Sequence, residues 1–326
     1  MNVSQTLVPR VLLAVAVLLT GSWLLLPAQA LTAPSADSTS SAIAVWLAPQ
    51  GQTRGSDPTA LPLGDGRSSR EGPAVGNVWT CNAPNPNAGG AQLAGPWIRG
   101  DGTFDLTAKA EVDGDVAWPH ELRITLAEER RLITGNGLPS HPTGVYPGAR
   151  TDDAYQYDRN PNSITPQALR LDIPATPSVA AQPACLPGGG IGVLLTGAAF
   201  FNALDAPGRD AVAHETMDAC HGHPERTGQY HYHHLTPCIP DDAPPGSHSP
   251  LVGYASDGFG LFGRHGESGL ELTNADLDEC HGHTHEVLWD AQPASIYHYH
   301  ATWEFPYTLA CFRGTPTGRP IGPGPV

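Results

Sequence analysis

Apolar and polar residues alternate along Glu121-Leu-Arg-Ile-Thr-Leu-Ala127, with Leu122, Ile124 and Leu126 on one face and Glu121, Arg123 and Thr125 on the other. A period of two predicts a strand with one buried face. Gly192-Val-Leu-Leu-Thr196 is a continuous apolar run bounded by glycine, the pattern of a fully buried strand. Helical patterning is confined to short stretches around Ala203–Ala219 and Thr273–Glu279. With 37 Gly and 33 Pro among 326 residues, the chain is too heavily punctuated for a helical bundle. The predicted fold class is mainly β: a single β-rich domain with few short helices.

The ends of the chain read differently. Arg10 precedes an apolar run from Val11 to Leu26, closed by Pro27-Ala-Gln-Ala30, which predicts a secretory signal peptide over residues 1–30. Residues 31–75 are rich in Ser, Thr, Pro and Gly and read as a flexible linker, with an apolar island at Ile43–Leu47. Residues 76–118 read as an N-terminal β and loop extension, 119–315 as the main domain, and 316–326 as a disordered tail. No segment after the signal is long and apolar enough to cross a bilayer. The expected location is outside the cytoplasm: secreted, periplasmic or cell-surface.

An internal repeat organises the main domain. An offset of 60 lays Val193–Ala203 over Gly253–Gly263 and Cys220-His-Gly-His223 over Cys280-His-Gly-His283, and a longer insertion then carries Tyr230-His-Tyr-His233 onto Tyr297-His-Tyr-His300. Half-repeats of about 191–238 and 251–311 imply a pseudo-twofold domain. Six cysteines in an exported chain point to disulfides. Six cysteines allow fifteen pairings; repeat symmetry favours Cys220–Cys238 and Cys280–Cys311, which leaves Cys81–Cys185.

Charge excludes one class of partner. The net charge is −15 and Lys109 is the only lysine, so there is no basic stripe for a nucleic-acid backbone. The histidines point elsewhere. Alternate residues of a strand share a face and lie about 6.5–7 Å apart, so two imidazoles at that spacing can tilt onto one ion. The candidate metal ligands are His221, His223, His231, His233, His281, His283, His298 and His300, with the tyrosines of each Tyr-His-Tyr-His packed behind. Imidazole donors with few methionines and with cysteines engaged in disulfides predict a nitrogen-rich site for copper or zinc. Asp218, Glu225, Glu279 and Asp257 are candidate further ligands or acceptors that orient a ring, Asp257 also being the one candidate general base. His141 is a weaker ligand candidate; His120, His214, His234, His248, His265 and His285 are expected at the surface or in hydrogen bonds. Two other readings remain: a metal-dependent hydrolase or oxidase with an open coordination position, and a cell-surface interaction module with a structural ion. Ion binding through these rings is expected to weaken as pH falls through about 6.5.

The motifs in order resemble the YHYH-domain family of exported bacterial proteins. The resemblance runs from roughly Pro119 to Gly314, through Asn136-Gly-Leu-Pro-Ser-His141, Asn160-Pro-Asn-Ser-Ile164, Gly197–Asn202, Asp218–Pro224, Tyr230–His233, Tyr297–Thr302 and Cys311–Gly314. It implies metal binding only through the histidine motif and supplies no reaction.

Overall fold

The computed structural model describes residues 57–241, 244–318 and 320, so the signal peptide over residues 1–30 and residues 31–56 of the expected linker lie outside the described residues. The fold is mainly β, with one short α-helix among the described residues, α1 (Ala211–His214). Residues 57–75, assigned to the linker from composition, are instead built into the domain: Leu61 pairs with Phe104 and both are fully buried. Two apolar anchors outweigh the polar residues around them. At the other end, part of the expected tail is tied down, because the Thr317 amide donates to the Ser256 carbonyl at 2.9 Å.

Two sheets matter for the site. A three-stranded antiparallel sheet is formed by β1 (Leu122–Ala127), β2 (Arg130–Gly135) and β3 (Leu169–Pro174). The β1 strand is where alternation predicts it, but its apolar face is open: Ile124 is 37 % and Leu126 50 % exposed. It is an edge strand, and the core lies against β2 and β3.

The large sheet has eight strands, namely β4 (Gly190–Leu194), β5 (Ala199–Phe201), β6 (Gly222–Pro224), β7 (Tyr230–Tyr232), β8 (Leu251–Ala255), β9 (Gly260–Phe262), β10 (Gly282–Trp289) and β11 (Gln292–His300). Their spatial order is β6-β7-β5-β4-β8-β9-β11-β10. The order reads the same from either edge once β4, β5, β7 and β6 are exchanged for β8, β9, β11 and β10. The parallel pairs of this sheet, β5–β7 and β9–β11, occupy matching places. The axis passes between the antiparallel strands β4 and β8, where Val193 pairs with Tyr254.

The hairpins on either side of the axis correct the repeat by one residue, because Val193 pairs with Ala199 as Tyr254 pairs with Gly260. Val193 maps to Tyr254 and Gly197 to Gly258, an offset of 61 rather than 60. Both glycines turn a hairpin with positive φ, +90° and +97°, a conformation that side chains resist. The corrected offset places Phe201 on Phe262. It also places Thr196 on Asp257 and Asn202 on Gly263.

Alternation then sorts the side chains. Tyr230, Tyr232, Tyr297 and Tyr299 enter the main core with Phe200, Leu261, Phe259 and Phe305. The opposite face is covered at its centre by β2 and β3, where Ile133, Leu171 and Ile173 pack on Val193, Ala199 and Tyr254. His231 lies beside Ala199 in the sheet and so shares that second face. The histidines therefore occupy the two wings of a face whose middle is sealed by the small sheet.

The three disulfides are Cys81–Cys185, Cys220–Cys238 and Cys280–Cys311, as repeat symmetry favours. Gly222 and Gly282 are required for a reason alternation does not show. A Cβ at either would overlap the ring of Tyr230 or Tyr297. Gly222→Ala and Gly282→Ala should each cost roughly 1–3 kcal/mol, the range for overpacking a filled core. Denaturant unfolding of the disulfide-intact protein measures this, and an unchanged midpoint would contradict it.

Candidate metal centres

Each half builds its site from a turn and two strands. In the first half, the Asp218 side chain accepts hydrogen bonds from the amides of Cys220 and Gly222. Asp278 does the same for Cys280 and Gly282. This turn puts His221 and His281 at φ of +58° and +77°, outside the extended conformation that alternation assumes. His221 and His281 consequently do not share a face with His223 and His283. His221 stacks on His234, with ring centroids 4.8 Å apart. His281 is held by the His300 carbonyl at Nδ1 and by Asn274 and Thr302 at Nε2.

The tyrosines do more than pack. The Tyr230 hydroxyl donates to Asp218 and the Tyr297 hydroxyl to Asp278, both at 2.9 Å, so the first tyrosine of each motif clamps the turn of the same half. The second tyrosines donate to the symmetry-related positions Thr196 and Asp257, at 3.0 and 2.6 Å. Burial pushes Asp218 up to about 6, and the amides of Gly144 and Gly222 act against it. Tyr230→Phe should cost about 1–2 kcal/mol, the consequence of leaving a buried acceptor short of one donor. A parallel assay of ion content should be unaffected, because no tyrosine faces the histidine groups.

Six of the eight candidate histidines converge. His223, His231 and His233 form one group and His283, His298 and His300 the matching group in the other half. The second group also takes in His248 and His285, expected from the sequence at the surface or in hydrogen bonds. His285 shares a face with His283 on β10. His248 comes from the chain just before β8, and no local pattern marks it. Its Nε2 lies 3.0 Å from Nε2 of His300.

The rings are oriented by backbone carbonyls rather than by the acids considered above. Nδ1 of His231 faces the Gln229 carbonyl at 3.2 Å, and Nδ1 of His298 faces that of Ile296 at 3.0 Å. Nδ1 of His233 faces the Asn202 carbonyl and Nδ1 of His300 that of Gly263, both at 2.6 Å. Nδ1 of His248 faces the Ser249 carbonyl at 2.7 Å. A carbonyl can only accept, so each of these Nδ1 atoms carries the proton, and each Nε2 of a neutral ring presents a lone pair. The rings are neutral: burial pushes His231 down to about 4 and, with His231 beside it, His233 down to about 3. His231 and His233 therefore aim two lone pairs at each other across 3.2 Å. His248 and His300 do the same across 3.0 Å. A buried Nε2 on His298 also has no hydrogen-bond partner among the described residues.

One acid joins the first group. Glu215 Oε2 lies 3.4 Å from Nε2 of His233 and 3.6 Å from Nε2 of His223. It follows α1 in the chain, and its only sequence signal was the His214-Glu pair, which lacks the second histidine of a zinc-protease helix. Burial, with Asp158 and Asp205 nearby, holds its carboxyl well above the usual range.

The remaining candidates sit elsewhere. Asp257 is on the tyrosine side of the sheet, saturated by Tyr299, Gly314 and Phe259, so its position is structural and faces neither group. Asp218 is likewise spent on its turn and tyrosine. Glu225 accepts from Thr227. His141 bonds the Tyr232 hydroxyl at 2.6 Å, and the two cysteines near it are joined to each other. His214 bonds Asp65, and His120 the Leu138 carbonyl.

Taken together, this is a disulfide-bonded, mainly β protein with two symmetry-related histidine groups on one face of its sheet. A family model described as YHYH protein matches residues 170–271, the same family that the motifs resemble. The match spans the first half-repeat and ends before β10. No curated protein and no solved structure matches the chain. The disulfides and the family fit an extracytoplasmic protein, and no helix among the described residues is long and apolar enough to cross a membrane.

Proposed function

We propose that this is an exported protein that binds transition-metal ions, copper or zinc, one in each histidine group. The observation that carries the reading is the facing lone pairs of His231 with His233 and of His248 with His300, at 3.2 and 3.0 Å. Neutral rings so disposed repel unless something positive lies between them. Donors on a tetrahedral ion with bonds near 2 Å are about 3.3 Å apart, so the observed spacings suit a shared ion. Nitrogen donors with a single carboxylate suit copper and zinc better than magnesium or calcium, which prefer oxygen. Export is supported by the apolar run Val11–Leu26, its Ala-Gln-Ala30 ending and three disulfides.

The test is elemental analysis of full-length protein purified without an affinity tag and equilibrated with copper, zinc or both. About two tightly held ions per chain are expected, since each group supplies at least three converging rings. Protein that retains no ion after passage over a desalting column would overturn the proposal.

A further inference from the structure

The two groups are related by symmetry but differ in surroundings. The second surrounds its centre with five imidazoles. The first offers three imidazoles and Glu215, and all four side chains line a cleft of about 980 Å³. A space of that size accommodates a small organic molecule, not only water.

The charges in the cleft are also distinctive. Three of its acids are committed to partners: Asp205 to Arg209 at 2.7 Å, Asp158 to the Thr216 amide at 3.2 Å, and Glu225 to Thr227. Two exposed arginines, Arg159 and Arg226, also line it, and neither has a carboxylate partner among the described residues. The Arg159 guanidinium lies over the Tyr155 ring, 6.0 Å from its centroid, which leaves its N–H donors available. Guanidinium forks match the paired oxygens of carboxylate and phosphate groups.

We infer that an ion held by His223, His231, His233 and Glu215 keeps a coordination position open to the cleft and there binds an oxyanion, the carboxylate or phosphate group of a small molecule, with Arg159 and Arg226 selecting its charge. The inference rests on the metal reading above. The protein donors all belong to the wall formed by β6, β7 and the turn after α1. All four of them line the cleft. Open positions of this kind distinguish sites that exchange ligands from closed structural sites.

Cobalt(II) reports on its own ligands through visible absorption, so the experiment is a titration of the full chain loaded with cobalt. Acetate and inorganic phosphate are added separately. At least one should shift the spectrum saturably: acetate alone identifies a carboxylate ligand, phosphate alone a phosphate ligand, and both the shared oxyanion chemistry. The shift should persist in a His283→Ala/His298→Ala variant and vanish in His223→Ala/His233→Ala. Arg159→Ala/Arg226→Ala should keep its cobalt and bind the anion about tenfold more weakly, the scale of one lost charge-assisted hydrogen bond. Cobalt held in the first group with no response to either anion would overturn this inference and leave the metal reading standing. A response confined to the second group, or unchanged affinity in the arginine variant, would also overturn it. Failure of the wild-type chain to bind cobalt, copper or zinc would remove both.

Discussion

Replacing His223 and His233 together by alanine should halve the ion content of the protein. The two rings supply two of the three imidazoles in the first group, and both face Glu215. Losing an outer hydrogen-bond partner of a metal ligand typically costs about 10–100-fold in affinity, and losing two direct ligands should cost more. His231 is left in place because its ring stacks on Phe201, with centroids 3.8 Å apart, and removing it would open a hole in the sheet face. The second group serves as the internal control for folding. Its rings come from β10, β11 and the segment before β8, and β10 and β11 lie at the opposite end of the sheet from β6 and β7. Elemental analysis should therefore find one ion where the parent chain holds two, with the second group's ion retained. Two ions in the variant would mean that the first group is not a binding site. Loss of both, with the fold intact by circular dichroism, would mean that the groups do not act separately.

Acidification should release the two ions in order, the first group's before the second's. An exposed histidine takes up a proton near 6.5. In the second group, burial first and the neighbouring rings of His285 and His248 next push His283 down to about 4. His300 and His298 are also lowered, by burial above all. Protons compete for a ring only as pH nears its own pKa, so competition at His283 begins near 4 rather than near 6.5. Where His283, His298 and His300 hold the ion, the second group's affinity should then stay nearly constant between about pH 7.5 and about pH 5. This revises the expectation, drawn from ordinary histidine, of weakening through 6.5.

The first group contains Glu215, whose carboxyl is held well above the ordinary range by burial, with Asp158 and Asp205 adding to it. A raised pKa means that the ion-free site holds a proton which a bound ion must displace. Below that pKa, affinity falls by up to about tenfold for each pH unit, while His231 and His233 add nothing until the pH approaches 4. Competition with a chelator at several pH values, in the parent and in Glu215→Gln, reads this directly. The substitution should flatten the pH dependence of the first group. A common midpoint near 6.5 for both groups would show that the rings titrate as if exposed, contrary to the geometry.

The paired Tyr-His-Tyr-His motifs were interpretable because they lie on real strands. Alternation placed the tyrosines on one side and the histidines on the other, and His231 with His233 and His298 with His300 follow. The same rule failed at His221 and His281. There the Asp218 and Asp278 side chains capture the following amides and turn the backbone into the left-handed region. The signal was present as Asp-x-Cys-His-Gly in both halves, but it reads as a turn only once the aspartate's partners are known. His285 could have been found, since Gly282-His-Thr-His285 continues an alternating strand, β10.

By itself the sequence determined the mainly β class, the repeat, the disulfide pairs consistent with that repeat and six of the converging histidines. Each depends on local period or on correspondence between halves, which a linear chain records. Only the tertiary structure decided that Glu215 joins one group and His248 the other, that Asp257 belongs to the tyrosine side, and that the first group lines a cleft of about 980 Å³. Those facts depend on strand order across the sheet, which brings together residues with no fixed spacing along the chain.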